Sequence, residues 1–140
     1  MYSISDSDSV RKREPIPERV NELSRQVVDA AYAVHSALGP GLLESVYEAC
    51  LAHELRTRGL KVETQVAFPV LYKDVELEIG LRLDLLIEEV VVVELKSIEA
   101  LAPIHTAQVL IYLRLTGNRL GILINFNVTA IRDGIKRIVL

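Results

Sequence analysis

The chain has 140 residues, half of them apolar and a quarter charged, at a net charge of −3, which fits one compact soluble domain with a sizeable core. Its single cysteine, Cys50, excludes an intramolecular disulfide framework and any multi-cysteine zinc site. No apolar run approaches the ~20 residues that span a bilayer, and Met1 to Arg13 lacks the apolar core of a signal peptide, so a cytoplasmic protein without a membrane partner is expected.

Residues 1–17, with Pro15 and Pro17, read as a flexible leader ahead of a single domain over 18–140. Leu23, Val27, Ala30, Ala31, Val34 and Leu38 recur at helical spacing and predict a helix over about 18–38. Gly39-Pro40-Gly41 stops it. A second helix is predicted over about 43–58, with Val46, Tyr47, Cys50, Leu51 and Leu55 on its apolar stripe and Gly59 as its C-terminal cap. A strand over about 62–71 contains Pro69, which places it near an edge or at a bulge. In the next strand Val75, Leu77, Ile79, Leu81, Leu83, Leu85 and Ile87 alternate with mostly polar residues, giving one apolar and one polar face. A third strand, about 90–97, begins Val90-Val91-Val92-Val93, the pattern of a strand buried on both faces. A helix from Pro103 to Thr116, capped by Gly117, and strands over about 119–125 and 135–139 complete the chain. The order α-α-β-β-β-α-β-β predicts a mixed sheet flanked by helices, an α/β sandwich.

Glu94 and Lys96 close the valine strand. Charged side chains are rarely buried unless paired or bound to a metal, and residues two apart on a strand share a face. If Ile87 pairs with Val91 across the Glu88-Glu89 loop, Asp84 stands directly opposite Glu94. Such partners have Cβ atoms roughly 4.5–5.5 Å apart. A two-residue loop would split the carboxylates between faces, but Glu-Glu lacks the glycine or asparagine that such turns prefer. Asp84, Glu94 and Lys96 are therefore expected on one face.

Adjacent carboxylates repel unless a cation lies between them. Hard oxygen ligands suit Mg²⁺ or Mn²⁺, and such an ion can activate water against a phosphodiester, with a lysine to stabilise developing negative charge. The strand pair alone is equally compatible with a surface ion-pair network. On position alone, Glu44 reads as a helix-terminus charge, worth ~0.3–1 kcal/mol against the macrodipole.

The combination of Asp84 with Glu94-Leu95-Lys96 after a hydrophobic hairpin resembles the signature of the PD-(D/E)XK nuclease superfamily. Gly41-Leu42-Leu43-Glu44-Ser45-Val46-Tyr47 is similar to the motif of its GxxExxY branch, and Arg82-Leu83-Asp84-Leu85-Leu86, Ile104-His105-Thr106-Ala107-Gln108 and Leu123-Ile124-Asn125-Phe126-Asn127 extend the likeness. In the superfamily's "PD", Leu83 replaces the proline. The resemblance implies a restriction-endonuclease-like core acting on DNA or RNA, with Glu44, Asp84 and Glu94 as ligands of Mg²⁺ or Mn²⁺ and Lys96 as the catalytic lysine.

His105, Gln108 and Tyr112 form one stripe on the helix after the Glu94-Lys96 strand, so they are candidates to face the site. Gln108 could hold Lys96 or a phosphate, a role the resemblance supports. Arg82 is a candidate for substrate contact or charge neutralisation, and Tyr47 for a core or a site role. Residues 1–95 carry 10 Lys/Arg against 17 Asp/Glu, whereas residues 96–140 carry 6 against 2. The acidic balance leaves little surface for nonspecific duplex binding, which points to a homodimer or a partner subunit. Competing readings are a noncatalytic nucleic-acid-binding or protein-interaction module and a Mg²⁺-dependent phosphoesterase for nucleotides.

Overall fold

The computed structural model describes residues 14–140, so most of the expected leader, residues 1–13, lies outside the described residues. Helix α1 spans Glu18–Leu38 and α2 Glu44–Thr57; β1 spans Val62–Tyr72, β2 Val75–Ile87 and β3 Val91–Lys96. Helix α3 spans Pro103–Thr116, β4 Leu120–Asn125 and β5 Ile135–Val139, with a 3₁₀ turn over Ile131–Gly134. Every expected element is present in the expected order. The helix ends fall where the local chemistry stops them: Gly59 and Gly117 both take left-handed backbone, φ 83° and 73°. No helix among the described residues is long and apolar enough to cross a membrane.

The sheet has the strand order β1-β2-β3-β4-β5. Its pairs are antiparallel except β3–β4, which is parallel. Parallel neighbours need a crossover, and α3 supplies it. Edge strand β1 changes register between Phe68 and Val70, at the expected site beside Pro69. Helices α1 and α2 pack on one face of the sheet, over Val91, Val93, Leu95, Ile122 and Ile124. Helix α3 packs on the other, over Leu86, Val92, Leu123 and Ile138. The sheet is thus the middle of three layers, and Val91, Val92 and Val93 are all fully buried. That double burial accounts for the valine run. Val90 falls in the turn, not in the strand.

Three local expectations are corrected. Val46, assigned to the apolar stripe of α2, is exposed; the buried residues of that helix are Tyr47, Leu51, Ala52 and Leu55. Leu86, on the nominally polar side of β2, is buried beneath α3. Val75 and Leu77 are exposed, because β2 pairs with β3 only over Leu85–Ile87 and its outer half pairs with β1 alone.

The hairpin also turns over along its length. Leu85 and Ile87 pack in the core of α1 and α2, yet Leu83 and Leu81 pack in that of α3. In a regular strand these four residues would share one face. In β1, Val62 lies in the first core, Val66 and Phe68 in the second. Between them Gln65 has φ 51°, left-handed backbone that is unusual for a residue other than glycine. Both strands rotate at the same level, between Thr64↔Leu85 and Val66↔Leu83.

Close packing of α3 on the sheet depends on Gly121. A Cβ there would lie 2.6 Å from Cγ1 of Val109, a fully buried, β-branched helix residue with little rotamer freedom. Gly121→Ala is expected to destabilise the protein by about 1–3 kcal/mol, read from the urea midpoint.

Candidate active site

The site lies where β2 and β3 part. Their turn uses Glu88 and Glu89 in left-handed conformation, φ 49° and 63°, and closes with Val90 N–H donating to Ile87 C=O at 3.0 Å. One residue longer than a two-residue loop, it pairs Ile87 with Val91, the register that brings Asp84 to the level of Glu94. Pairing ends at Leu85↔Val93. The next link is a side chain: Asp84 Oδ2 accepts the Leu95 N–H at 2.8 Å. Asp84 therefore bridges the gap between the strands instead of standing squarely on one face.

Glu94 is 5 % exposed, and its Oε1 has no hydrogen-bond partner. Burial pushes its pKa up to about 8; the adjoining Asp84 carboxyl adds to the rise and Lys96 opposes it. The Lys96 ammonium lies 3.8 Å from Glu94 Oε2, too long for a hydrogen bond but close enough to place a positive charge at the carboxylate. Tyr112 lies under the same influence: burial first, then Glu94 and Asp84, raise its pKa. Tyr112 itself is buried in the core between α3 and the sheet.

Glu44 approaches from the opposite layer. It is exposed in the first turn of α2 and borders a cleft of about 220 Å³ with Ser45, Glu48, Gln65, Asp84 and Leu95. Tyr47 sets the loop before it. Fully buried, Tyr47 stacks on Phe126 with ring centroids 4.5 Å apart. Its hydroxyl donates to Gly39 C=O at 2.6 Å and accepts from Leu42 N–H at 3.1 Å. Ser97 Oγ donates to Leu42 C=O at 2.6 Å, fastening the same loop to the end of β3. Tyr47 is a core residue that positions Glu44.

The remaining candidates divide. Gln108 has a buried Oε1 without a partner. His105 caps α3, its Nδ1 accepting Ala102 N–H at 2.8 Å. Arg82 is exposed and donates to Gln65 C=O at 3.2 Å. Two residues of the cleft went unrecognised in the sequence. Glu48 carried a signal, since it lies one helical turn after Glu44. Gln65 carried none, because the irregularity at Pro69 hides the register that sets it opposite Asp84. Gln65 Nε2 donates to Glu48 and, at 3.2 Å, to Asp84 Oδ1. Burial raises the pKa of Glu48; Gln65 lowers it, and Asp84 and Glu44 raise it again.

Among the described residues no three of His, Cys, Asp and Glu converge closely enough to hold a metal ion. Asp84 and Glu94 adjoin, and Glu44 shares a cleft with Asp84, but the three do not close on one point, as like charges resist doing. The donor set is nonetheless that of a hard cation. It is all oxygen, and it includes a buried carboxylate oxygen that nothing else satisfies.

A family model described as the PD-(D/E)XK nuclease superfamily matches residues 21–138. The chain belongs to this superfamily. The match contains Glu44, Asp84, Glu94 and Lys96, and the three-layer fold with its mixed sheet agrees with a restriction-endonuclease-like domain. No curated protein and no solved structure matches the chain. Nucleases of the superfamily generally use divalent metal ions, and membership implies a nucleic-acid substrate.

Two outcomes test this geometry. Tyr47→Phe leaves Leu42 N–H and Gly39 C=O without their partner and should lower stability by about 1–3 kcal/mol in denaturant unfolding. Glu94 has a folded-state pKa above its unfolded value, so the native state binds an extra proton between about pH 4.5 and 8. Stability from this group therefore falls as pH rises through that window. In EDTA, Glu94→Gln should be the more stable protein at pH 8, by an amount on the order of 3 kcal/mol, with the gap closing toward pH 4.5.

Proposed function

We propose that this protein is a metal-dependent nuclease that hydrolyses phosphodiester bonds of DNA or RNA, of the GxxExxY branch and acting in the cytoplasm. The observation that carries the reading is the unsatisfied Oε1 of buried Glu94, a residue set beside Asp84 whose other oxygen, Oε2, lies 3.8 Å from the Lys96 ammonium. A site that keeps a carboxylate oxygen dry and unpartnered tolerates a lasting penalty, which a bound cation would remove.

Asp84, Glu94 and Glu44 would hold Mg²⁺ or Mn²⁺. Such an ion supplies Lewis-acid polarisation of a phosphoryl oxygen and lowers the pKa of bound water. Lys96 provides the positive charge at this site, 20 % exposed at the side chain, and would orient the attacking water and stabilise negative charge on the phosphorus oxygens. Tyr112 and Gln108 lie on α3, from which they would support the carboxylates and Lys96. Exposed Arg82 beside the cleft would meet the substrate backbone. The surface remains acidic overall, so a homodimer or partner subunit would extend the contact to nucleic acid.

One observation favours a second reading, a noncatalytic module on the same fold: the absence, among the described residues, of three convergent ligands. The two readings differ in a cleavage assay on single-stranded, duplex and branched DNA and on RNA with Mg²⁺ or Mn²⁺. Lys96→Ala and Asp84→Ala are each expected to reduce cleavage by at least a factor of about 100, in line with losing a charge-stabilising or ligating group. Cleavage that survives in both variants rules out this site. No metal binding at millimolar Mg²⁺ or Mn²⁺ favours the noncatalytic module.

A further inference from the structure

Gln65 brings together three features that seldom coincide. It is a non-glycine residue in left-handed backbone on an edge strand. Its side-chain amide joins two carboxylates from different layers, Glu48 on α2 and Asp84 on β2. Its own carbonyl is held by Arg82 at 3.2 Å. Strained backbone persists only where the surroundings enforce it, and it concentrates at functional sites.

The consequence falls on Asp84. Its Oδ2 is fixed by Leu95 N–H at 2.8 Å and its Oδ1 by Gln65 Nε2 at 3.2 Å. With both oxygens directed, the carboxylate plane cannot rotate freely, and each oxygen keeps a lone pair for another partner. A neutral amide suits this task. It donates to Glu48 and Asp84 at once, whereas a lysine or arginine there would place a competing cation inside the carboxylate cleft. Resting on the metal-site reading above, we propose that Gln65 is a positioning residue that holds Asp84 in the orientation a divalent cation requires, with Glu48 aiming the amide. The amide and the backbone of Gln65 thus have separable roles. The backbone turns the hairpin over, and the side chain orients the ligand.

The test is calorimetric titration of the full chain with Mn²⁺, paired with thermal unfolding in EDTA, for the wild type, Asp84→Asn, Gln65→Gly and Gln65→Ala. Glycine accepts the left-handed conformation freely, whereas the Cβ of alanine, like that of glutamine, is penalised there. Gln65→Ala should therefore melt roughly 3 °C or more below Gln65→Gly. Both should bind Mn²⁺ roughly 10- to 100-fold more weakly than the wild type, the usual effect of removing a group that orients a metal ligand. Affinity that follows melting temperature instead, with Gln65→Gly binding like the wild type, would overturn the proposal and leave Gln65 a backbone role only. Equal wild-type affinity in all Gln65 variants, with binding lost in Asp84→Asn, also overturns it while leaving the metal site intact. Failure of the wild type itself to bind Mn²⁺ overturns the metal site and this inference with it.

Discussion

The carboxylate of Asp84 stands in for backbone at the point where β2 leaves β3. Leu95 N–H lies in a buried strand, and an unpartnered buried amide is expensive. Asp84 Oδ2 satisfies it, which lets the two strands part without an orphaned donor. The rest of the site depends on that parting. It opens the cleft toward α2, it leaves Glu94 beside Asp84, and it frees the outer hairpin to rotate from one core to the other. Had the ladder continued regularly, the Leu95 amide would have had a backbone partner and Asp84 would have shared the α3 face with Leu86.

Glu94 is the thermodynamic counterpart of this geometry. Three fully buried valines precede it, so its backbone position is fixed by packing on both faces of the sheet. The side chain cannot withdraw to water, and its charge is opposed by desolvation and by the Asp84 carboxyl, with Lys96 and the Asp84 backbone in compensation. Stability is lost locally to keep a reactive group in a dry place. The double core, with α1 and α2 on one face and α3 on the other, is what makes that loss tolerable.

The other side of the cleft is held by polar clamps on an apolar base. Tyr47 and Phe126 stack in the core, and the Tyr47 hydroxyl and Ser97 between them fix the loop that presents Glu44. Near the ends of β3 and β4, buried Asn125 accepts from Ile98 and Asn127 N–H and donates to Ile98 C=O. The loop leaving the Lys96 strand is thereby tied to the adjoining strand. Residues far apart in sequence act on one cleft because these links are short.

The order and extent of the elements were legible in the sequence, because hydrophobic period, proline and glycine placement are local properties. So was the β2–β3 register over Leu85–Ile87, since the Glu-Glu turn disfavours the shorter loop, but the ladder ends before Asp84, which bonds the Leu95 amide instead of pairing with Glu94. The Glu44 motif and the Lys96 spacing were legible as family likeness, not as geometry. What the sequence could not reveal was set by contacts across layers. Val46 and Leu77 are apolar but exposed because no element covers them, and Leu86 is buried because α3 does. Tyr47 became a loop clamp only through Phe126, and Gln65 became a partner of Asp84 only through a bulge and a left-handed residue that reset the hairpin. Periodicity determines which residues can share a face; only the tertiary structure decides where a strand breaks that rule, because the break is stabilised by a hydrogen bond between a side chain and a distant amide.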